Sequence, residues 1–242
     1  MCPGSDCPEM CGRYISTTTP ERLGEIFDAS TVSFEFSPRY NLAPGALAPI
    51  VSSDAAQRVI DVHRWGLVPH WSQEDIGTRL SNARGETVGE KPSFRDAFRR
   101  HRVVVPMDGF YEWAPAHPDG PRTRSGRAAK RPHLFSSVDG EVLNVAGIAS
   151  IWRRGGGELR TFAVVTTEAN ATMAPIHDRM PVLLGRDGVD RWLDPDEQPH
   201  DLIAPAPPTA LVVREVSVEV NDARNDGAHL LEAVPPGPET LF

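Results

Sequence analysis

The stretch "RVVVPMDGFYEWA" (102–114) decides the fold. Two short runs rich in valine and aromatic residues, "RVVVP" (102–106) and "FYEWA" (110–114), lie either side of a Met107–Gly109 turn and read as β-strands. On the second run Phe110 and Glu112 share one face, and Tyr111 and Trp113 share the other. Downstream, "HLFSSV" (133–138), "LNVAGIASIW" (143–152) and "RTFAVVTT" (160–167) follow as strands between Gly-rich turns, and "ALVVREVSV" (210–218) as the last. Upstream, "RVIDVHRWGLV" (58–68) alternates Val59, Asp61, His63 and Trp65 against Ile60, Val62 and Arg64, a further strand.

Helical signals are few and short. "PERLGEIFDAS" (20–30) carries Thr19 as N-cap, Pro20 in the first turn and a stripe of Leu23, Ile26 and Phe27. "SFRDAFRRH" (93–101), capped by Ser93, and "GVDRWL" (188–193) read as short helices. "RYNLAPG" (39–45) reads as a loop, because Pro44-Gly45 is a strong turn signal. Residues 115–131, rich in Pro, Gly and Arg, read as a mobile surface loop. Many strands, few helices and no regular βα alternation predict an α+β fold with a mostly antiparallel, barrel-like sheet. No repeat or linker divides the 242 residues. The expected organisation is an N-terminal extension at 1–10, one domain at 11–232 and a disordered tail at 233–242.

Composition narrows the function. With 40% hydrophobic and 24% charged residues the chain is an ordinary globular protein. It shows neither a signal-peptide core nor an apolar run approaching the ~18 residues of a membrane helix, so a cytoplasmic protein with reduced thiols is expected. The net charge of -8 disfavours bulk coating of nucleic acid, yet of 25 basic residues only Lys91 and Lys130 are lysines. Arginine suits bidentate phosphate recognition, and "RDAFRRHR" (95–102) and "RTRSGRAAKR" (122–131) are locally basic.

All three cysteines, Cys2, Cys7 and Cys11, lie at one end. Their spacing matches no common zinc pattern and lacks a fourth ligand. Cys11 is then either a structural thiol or the first residue of a mature chain. In the second case it offers an α-amine of pKa about 8 beside a thiol of pKa about 8.5. That pair condenses with an aldehyde: the amine forms an imine, and the thiolate closes a five-membered thiazolidine. Glu112, flanked by aromatic residues, is expected to have a raised pKa suited to proton shuttling. "PIHDRMP" (175–181) presents His177 on a loop held by prolines. Consecutive side chains of an extended segment diverge, so His177 and Asp178 are not expected to pair. "SNARGET" (81–87) offers Asn82 and Arg84 on a loop before a helix, and "HWS" (70–72) puts Trp71 where an aromatic ring can stack on a base.

Taken in order, "MCGRY", "RYNLAPG", "WGLVPHW", "SNARGET", "DGFYEW" and "PIHDRMP" resemble the signature segments of the SOS response-associated peptidase (SRAP) domain, from about Met10 to "ARNDG" at 223–227. The resemblance implies a single α+β domain that senses abasic sites in single-stranded DNA and forms a covalent crosslink through Cys11. It implies that Asn82 orients the N-terminal residue and the sugar, that Glu112 shuttles protons, and that His177 assists opening of the sugar ring. Arg13 and Arg84 correspond to phosphate contacts, Trp71 to a residue against a base, and Arg39 and Asn41 join the DNA-binding set. No metal or organic cofactor is implied, and a monomer is expected. The family typically begins Met-Cys-Gly-Arg, whereas "MCPGSDCPE" (1–9) precedes it here. These residues are either an early start or a propeptide removed by autoproteolysis at Met10–Cys11, with Glu112 and Cys11 as candidate groups; lyase-like chemistry at the lesion is a further possibility. Trp71 is followed by Ser72, not by the second tryptophan of some relatives. Two other readings remain: a cysteine peptidase using Cys11, His177 and Asn82 on peptides, and a non-catalytic single-strand binder.

Overall fold

The structure, a computed structural model, describes residues 12–54, 57–117, 120, 122, 126 and 128–234. The expectations for Cys2, Cys7, Cys11 and the extension lie outside the described residues, as do most of 118–127 and of the tail.

An eight-stranded sheet forms the centre. Its order is β12 (Arg179–Pro181), β11 (Gly157–Glu168), β10 (Leu143–Arg154), β7 (Arg102–Met107), β4 (Leu47–Asp54), β5 (Gln57–Trp65) and β2 (Ala29–Thr31), with β6 (Asn82–Arg84) paired to β11. A parallel pairing of β5 with β11, Arg64 opposite Thr161 and Trp65 opposite Phe162, closes five of these strands into a ring. Closure needs a tight approach just after β5. The N–H of Gly66 donates to Phe162 O at 2.8 Å, and Gly66 has φ 117°. A Cβ there would sit 2.6 Å from Gly77 O, so only glycine fits.

The second sheet, of order β13 (Leu211–Glu215), β9 (Arg131–Ser137), β8 (Gly109–Ala114), β1 (Arg13–Ser16) and β3 (Arg39–Leu42), covers one side of the ring. Residues 102–114 thus split: β7 joins the ring and β8 the five-stranded sheet, with Asp108 between. Strand alternation sorts β7 into two cores. Val103, Val105 and Met107 pack with Trp65, Phe162 and, from the second sheet, Tyr14, Phe110 and Phe135. Val104 packs instead with Leu23 and Phe27 of α1 (Pro20–Phe27), Val88 of α2 (Gly85–Val88), Phe98 of α3 (Arg95–Arg100) and Trp192 of α4 (Arg186–Leu193). The four helices therefore share one face of the ring, and the second sheet takes the other. A shared core makes the described chain one α+β domain.

Local signals account for the helix ends. Thr19 caps α1, accepting from Arg22 N at 3.3 Å, and the helix stops at Asp28, whose φ of 49° is left-handed. Ser93 does not cap α3, which begins after Phe94 without a side-chain cap. Residues 39–42, expected as loop, form β3 because Tyr14 of β1 pairs with Leu42; the turn starts only at Pro44-Gly45. The last strand ends at Glu215, and Val218–Asn221 turns as a 3-10 helix. Among the described residues no helix is long and apolar enough to cross a membrane.

Candidate active site

The site begins where β1 meets β8. Their antiparallel register sets Arg13 opposite Tyr111 and Tyr14 opposite Phe110, so β1 begins beside the Tyr111–Glu112 step of β8. On the other flank of β8, Glu112 faces His133. Glu112 is only 2% exposed, on the same face as Phe110, whose ring stacks on Phe135 at 5.2 Å. Tyr111 and Trp113 turn the other way, as the alternation predicted. The turn before β8 is fixed by Asp108. Its Oδ2 accepts from Thr17 N at 2.6 Å and Thr18 N at 3.1 Å, locking the end of β1 beside the start of β8.

Arg13 lies over the Trp113 ring, 5.9 Å from its centroid, and donates through Nη1 to Asn41 Oδ1 at 3.0 Å and Val220 O at 2.9 Å. Burial pushes its guanidinium pKa down, and Asp222 opposes that shift. Asn41 has no exposed surface; its Nδ2 donates to the carbonyls of Val220, Asp222 and Asn225 at 3.2, 3.1 and 3.0 Å. Arg39 pairs with Asp226, which also accepts from Tyr40 N at 2.6 Å. Asn41 and Arg39 thus hold the C-terminal segment against β3. Of the two, Asn41 is sealed from solvent, while Arg39 keeps 40% of its side chain exposed beside Asp226.

Asn82 and Arg84 are on a strand, not a loop. β6 runs parallel to β11, with Asn82 opposite Val164 and Arg84 opposite Thr166, and α2 follows at once. Asn82 is half-buried and its Nδ2 donates to Ser81 Oγ at 3.3 Å. Arg84 is exposed and forms no salt bridge among the described residues. Trp71 is 49% exposed and tethered through Nε1 to Pro92 O at 3.4 Å, so core packing does not account for it.

His177 ends a turn whose N–H bonds run back to Met173 O at 3.0 Å, and Asn170 Oδ1 accepts from Thr172 N and Met173 N at 3.1 and 3.0 Å. The turn packs through Met173 and Ile176 on the core face that also holds Phe110. His177 Nδ1 accepts from Arg179 N at 3.1 Å, which leaves Nε2 to carry the proton of the neutral ring. Burial pushes the ring pKa down, Asp178 raises it, and the charges of Lys130 and Arg179 lower it further. Asp178 Oδ1 lies 3.0 Å from Nδ1, so the expectation that the two side chains diverge fails: the segment is a turn, not a strand. That contact turns favourable when the ring takes a second proton. Next along, Arg179 grips Glu86 with both Nη atoms, at 2.7 and 2.8 Å, and donates to Thr166 O at 2.9 Å. β6 and β12 both pair at Thr166, so the Asn82 and His177 segments are fastened to one point of β11. Glu86 and Arg179 lie within the SNARGET and PIHDRMP segments, but their pairing with each other is not visible in the sequence, and no motif marks His133.

A family model described as SOS response associated peptidase (SRAP) matches residues 10–223. The chain belongs to the SRAP family. The SRAP match starts two residues before Gly12 and takes in both sheets, while Asn225 and Asp226, which anchor Asn41 and Tyr40, fall just beyond it. Among SRAP-like proteins, the abasic site processing protein YoaM of Bacillus subtilis is 33% identical, covering 93% of this chain and 98% of that one. The abasic site processing protein HMCES of Xenopus tropicalis is 29% identical, covering 93% of this chain and 78% of that one. A solved protein from Bacteroides thetaiotaomicron shares the SRAP fold with a TM-score of 0.80 at 22% identity, over 93% of this chain and 100% of that one. A solved phage-related protein of Bordetella bronchiseptica gives 0.66 at 30% identity, over 85% and 94%.

Proposed function

We propose that this SRAP protein processes abasic sites in single-stranded DNA by forming a thiazolidine through Cys11 once Cys11 is the first residue. The observation that carries the reading is the pairing of Arg13, two residues after Cys11, with Tyr111, next to the buried Glu112. The names of the relatives YoaM and HMCES support the substrate.

The chemistry is a condensation. The α-amine adds to the open-chain aldehyde of the baseless sugar and water leaves, giving an imine. The Cys11 thiolate then adds to the imine carbon, the nitrogen takes a proton, and the ring closes with a net loss of one water. In this reading Glu112 carries protons between amine, hydroxyl and leaving water. His177, neutral with Nε2–H, serves the sugar hydroxyl during ring opening. Asn82 orients the amine and sugar, and Arg84, an exposed cation with no salt bridge among the described residues, takes a backbone phosphate. Trp71 offers a face for a base. An unprocessed chain has an amide at Cys11 and cannot form the imine, so hydrolysis of the Met10–Cys11 bond, with one water added, is the proposed activating step.

Intact-mass measurement before and after incubation with an oligonucleotide bearing one abasic site tests the reading. The expected result is a protein mass beginning at Cys11, then a gain of one oligonucleotide minus one water. A chain shortened to begin at Met10, whose methionine is removed in the cell, that shows no adduct would sink the proposal. Cys11→Ser separates the alternatives, because a single-strand binder would keep its affinity while the stable adduct disappears.

A further inference from the structure

Away from this site, the far end of the ring opens into a cavity of about 570 Å³, within the usual size of small-ligand pockets. Every ring strand lines it: Ser52 from β4, His63 from β5, Val103 from β7, Ser150 from β10 and Arg160 from β11. The end of α3 adds Arg99 and Arg100, the residue after it His101, and β5 also contributes the carboxylate of Asp61. The charges are unevenly matched. Arg160 is paired with Asp61 and Glu158, and Arg102 donates to the carbonyls of Phe98 and Trp192. Arg99 and Arg100 are exposed and have no carboxylate partner among the described residues. In a chain of net charge -8, two cations without a carboxylate partner among the described residues, on a cavity of mixed polar and apolar lining, make a local anion site. The His63 side chain is 9% exposed, its Nδ1 has no hydrogen-bond partner, and burial favours the neutral ring. Asp61 and Arg160 pair with each other and His63 is neutral, which leaves the cations of Arg99 and Arg100 unmatched among the described residues. The cavity therefore suits a ligand with a polar, uncharged body and an anionic end.

The cavity adjoins the surface that carries Trp71. That residue is tied to Pro92, just ahead of α3, and α3 ends at Arg99 and Arg100. His70, its neighbour, lies close enough to His101 for their charges to interact. We propose that the ring mouth is a second nucleotide subsite, where Arg99 and Arg100 take the phosphates of the strand continuing past Trp71 and the apolar part of the lining takes a sugar or base. This rests on the reading that the chain acts on single-stranded DNA.

The test uses lesion-free single strands roughly 5 and roughly 20 nucleotides long, so that crosslinking plays no part. Anisotropy titrations compare the wild type with Arg99→Gln/Arg100→Gln, whose exposed positions leave folding intact, as a melting curve verifies. The long strand should bind the variant about tenfold more weakly, and its salt slope should fall by about 1.4 for two lost phosphates. The short strand should bind both proteins alike. Equal affinity and slope for the long strand, or no binding of either strand by the wild type, would overturn the proposal. Binding of a deoxynucleoside monophosphate that needs Arg99 and Arg100, without any length effect, would overturn the strand assignment and give the cavity to a free nucleotide. Failure of the abasic-site reading would show separately, as no adduct on a short lesion-bearing strand with the wild type.

Discussion

Asn41→Leu keeps the volume of the side chain but leaves the Arg13 guanidinium and three backbone carbonyls short of partners. Losing a buried amide of that kind costs about 3 kcal/mol, and urea unfolding should show it. Because Arg13 precedes Tyr14 on the strand beside Glu112, the same change should also slow any reaction at the site. At His177 the sign of the pH effect follows from the lowered pKa. The neutral ring prevails at pH 7, and acid protonates it only below the ordinary value of about 6.5. Adduct formation should already decline as the Cys11 amine protonates below about 8, and should fall more steeply below about 6.5, where His177 also takes a proton. His177→Gln should react more slowly at every pH and lose that steeper fall. A rate profile of the variant that still steepens at the same pH would assign the titration to another group.

Glu86 and Arg179 bind one element to another: the first turn of α2, which follows Asn82 and Arg84, to β12, which follows His177. Arg179 is mostly buried and Glu86 half-exposed, so Glu86→Ala should cost about 1–2 kcal/mol. It should lower adduct yield further than that loss explains, because it frees both segments at Thr166. A variant stable at the assay temperature yet fully active would refute this coupling. At this scale the limits of reading sequence are plain. Strands β5, β7, β8, β10 and β11 are long enough to show their alternation, and Thr19-Pro20 marks the start of α1 by its own chemistry. β3, β6 and β12 have four, three and three residues, too few for any period, and exist only because β1 or β11 lies beside them. The same is true of the site. Six segments with a family likeness name Asn82, Glu112 and His177, but no pattern shows that Asn41 faces inward, since that depends on the return of residues 220–226 from far along the chain.

For the molecule as a whole, closing the ring is the decisive event. Gly66→Ala would place a methyl 2.6 Å from Gly77 O at a φ of 117°. The strain and displaced backbone should cost about 3 kcal/mol or more, and amide exchange should rise in β5 and β11 before it rises in β9. Stability should also decline in acid. His63, His101 and His177 all have pKa values lowered chiefly by burial, so the unfolded chain binds more protons than the folded one as pH falls through about 6.5. Glu86, lowered by Arg179, adds to the loss at still lower pH. The unfolding free energy should thus fall from pH 7 to pH 5, and His63→Leu should flatten that slope.

The parallel pairing that closes the ring joins residues roughly a hundred positions apart. On a ribosome adding roughly 5–20 residues per second, β5 must wait some 5–20 s for β11. Throughout that interval the β4–β5 hairpin presents a bare edge with Ile60 and Trp65 uncovered, a template for any other nascent strand. Slower growth at low temperature, or a holdase chaperone, should therefore raise the yield of soluble protein more than any change at the site.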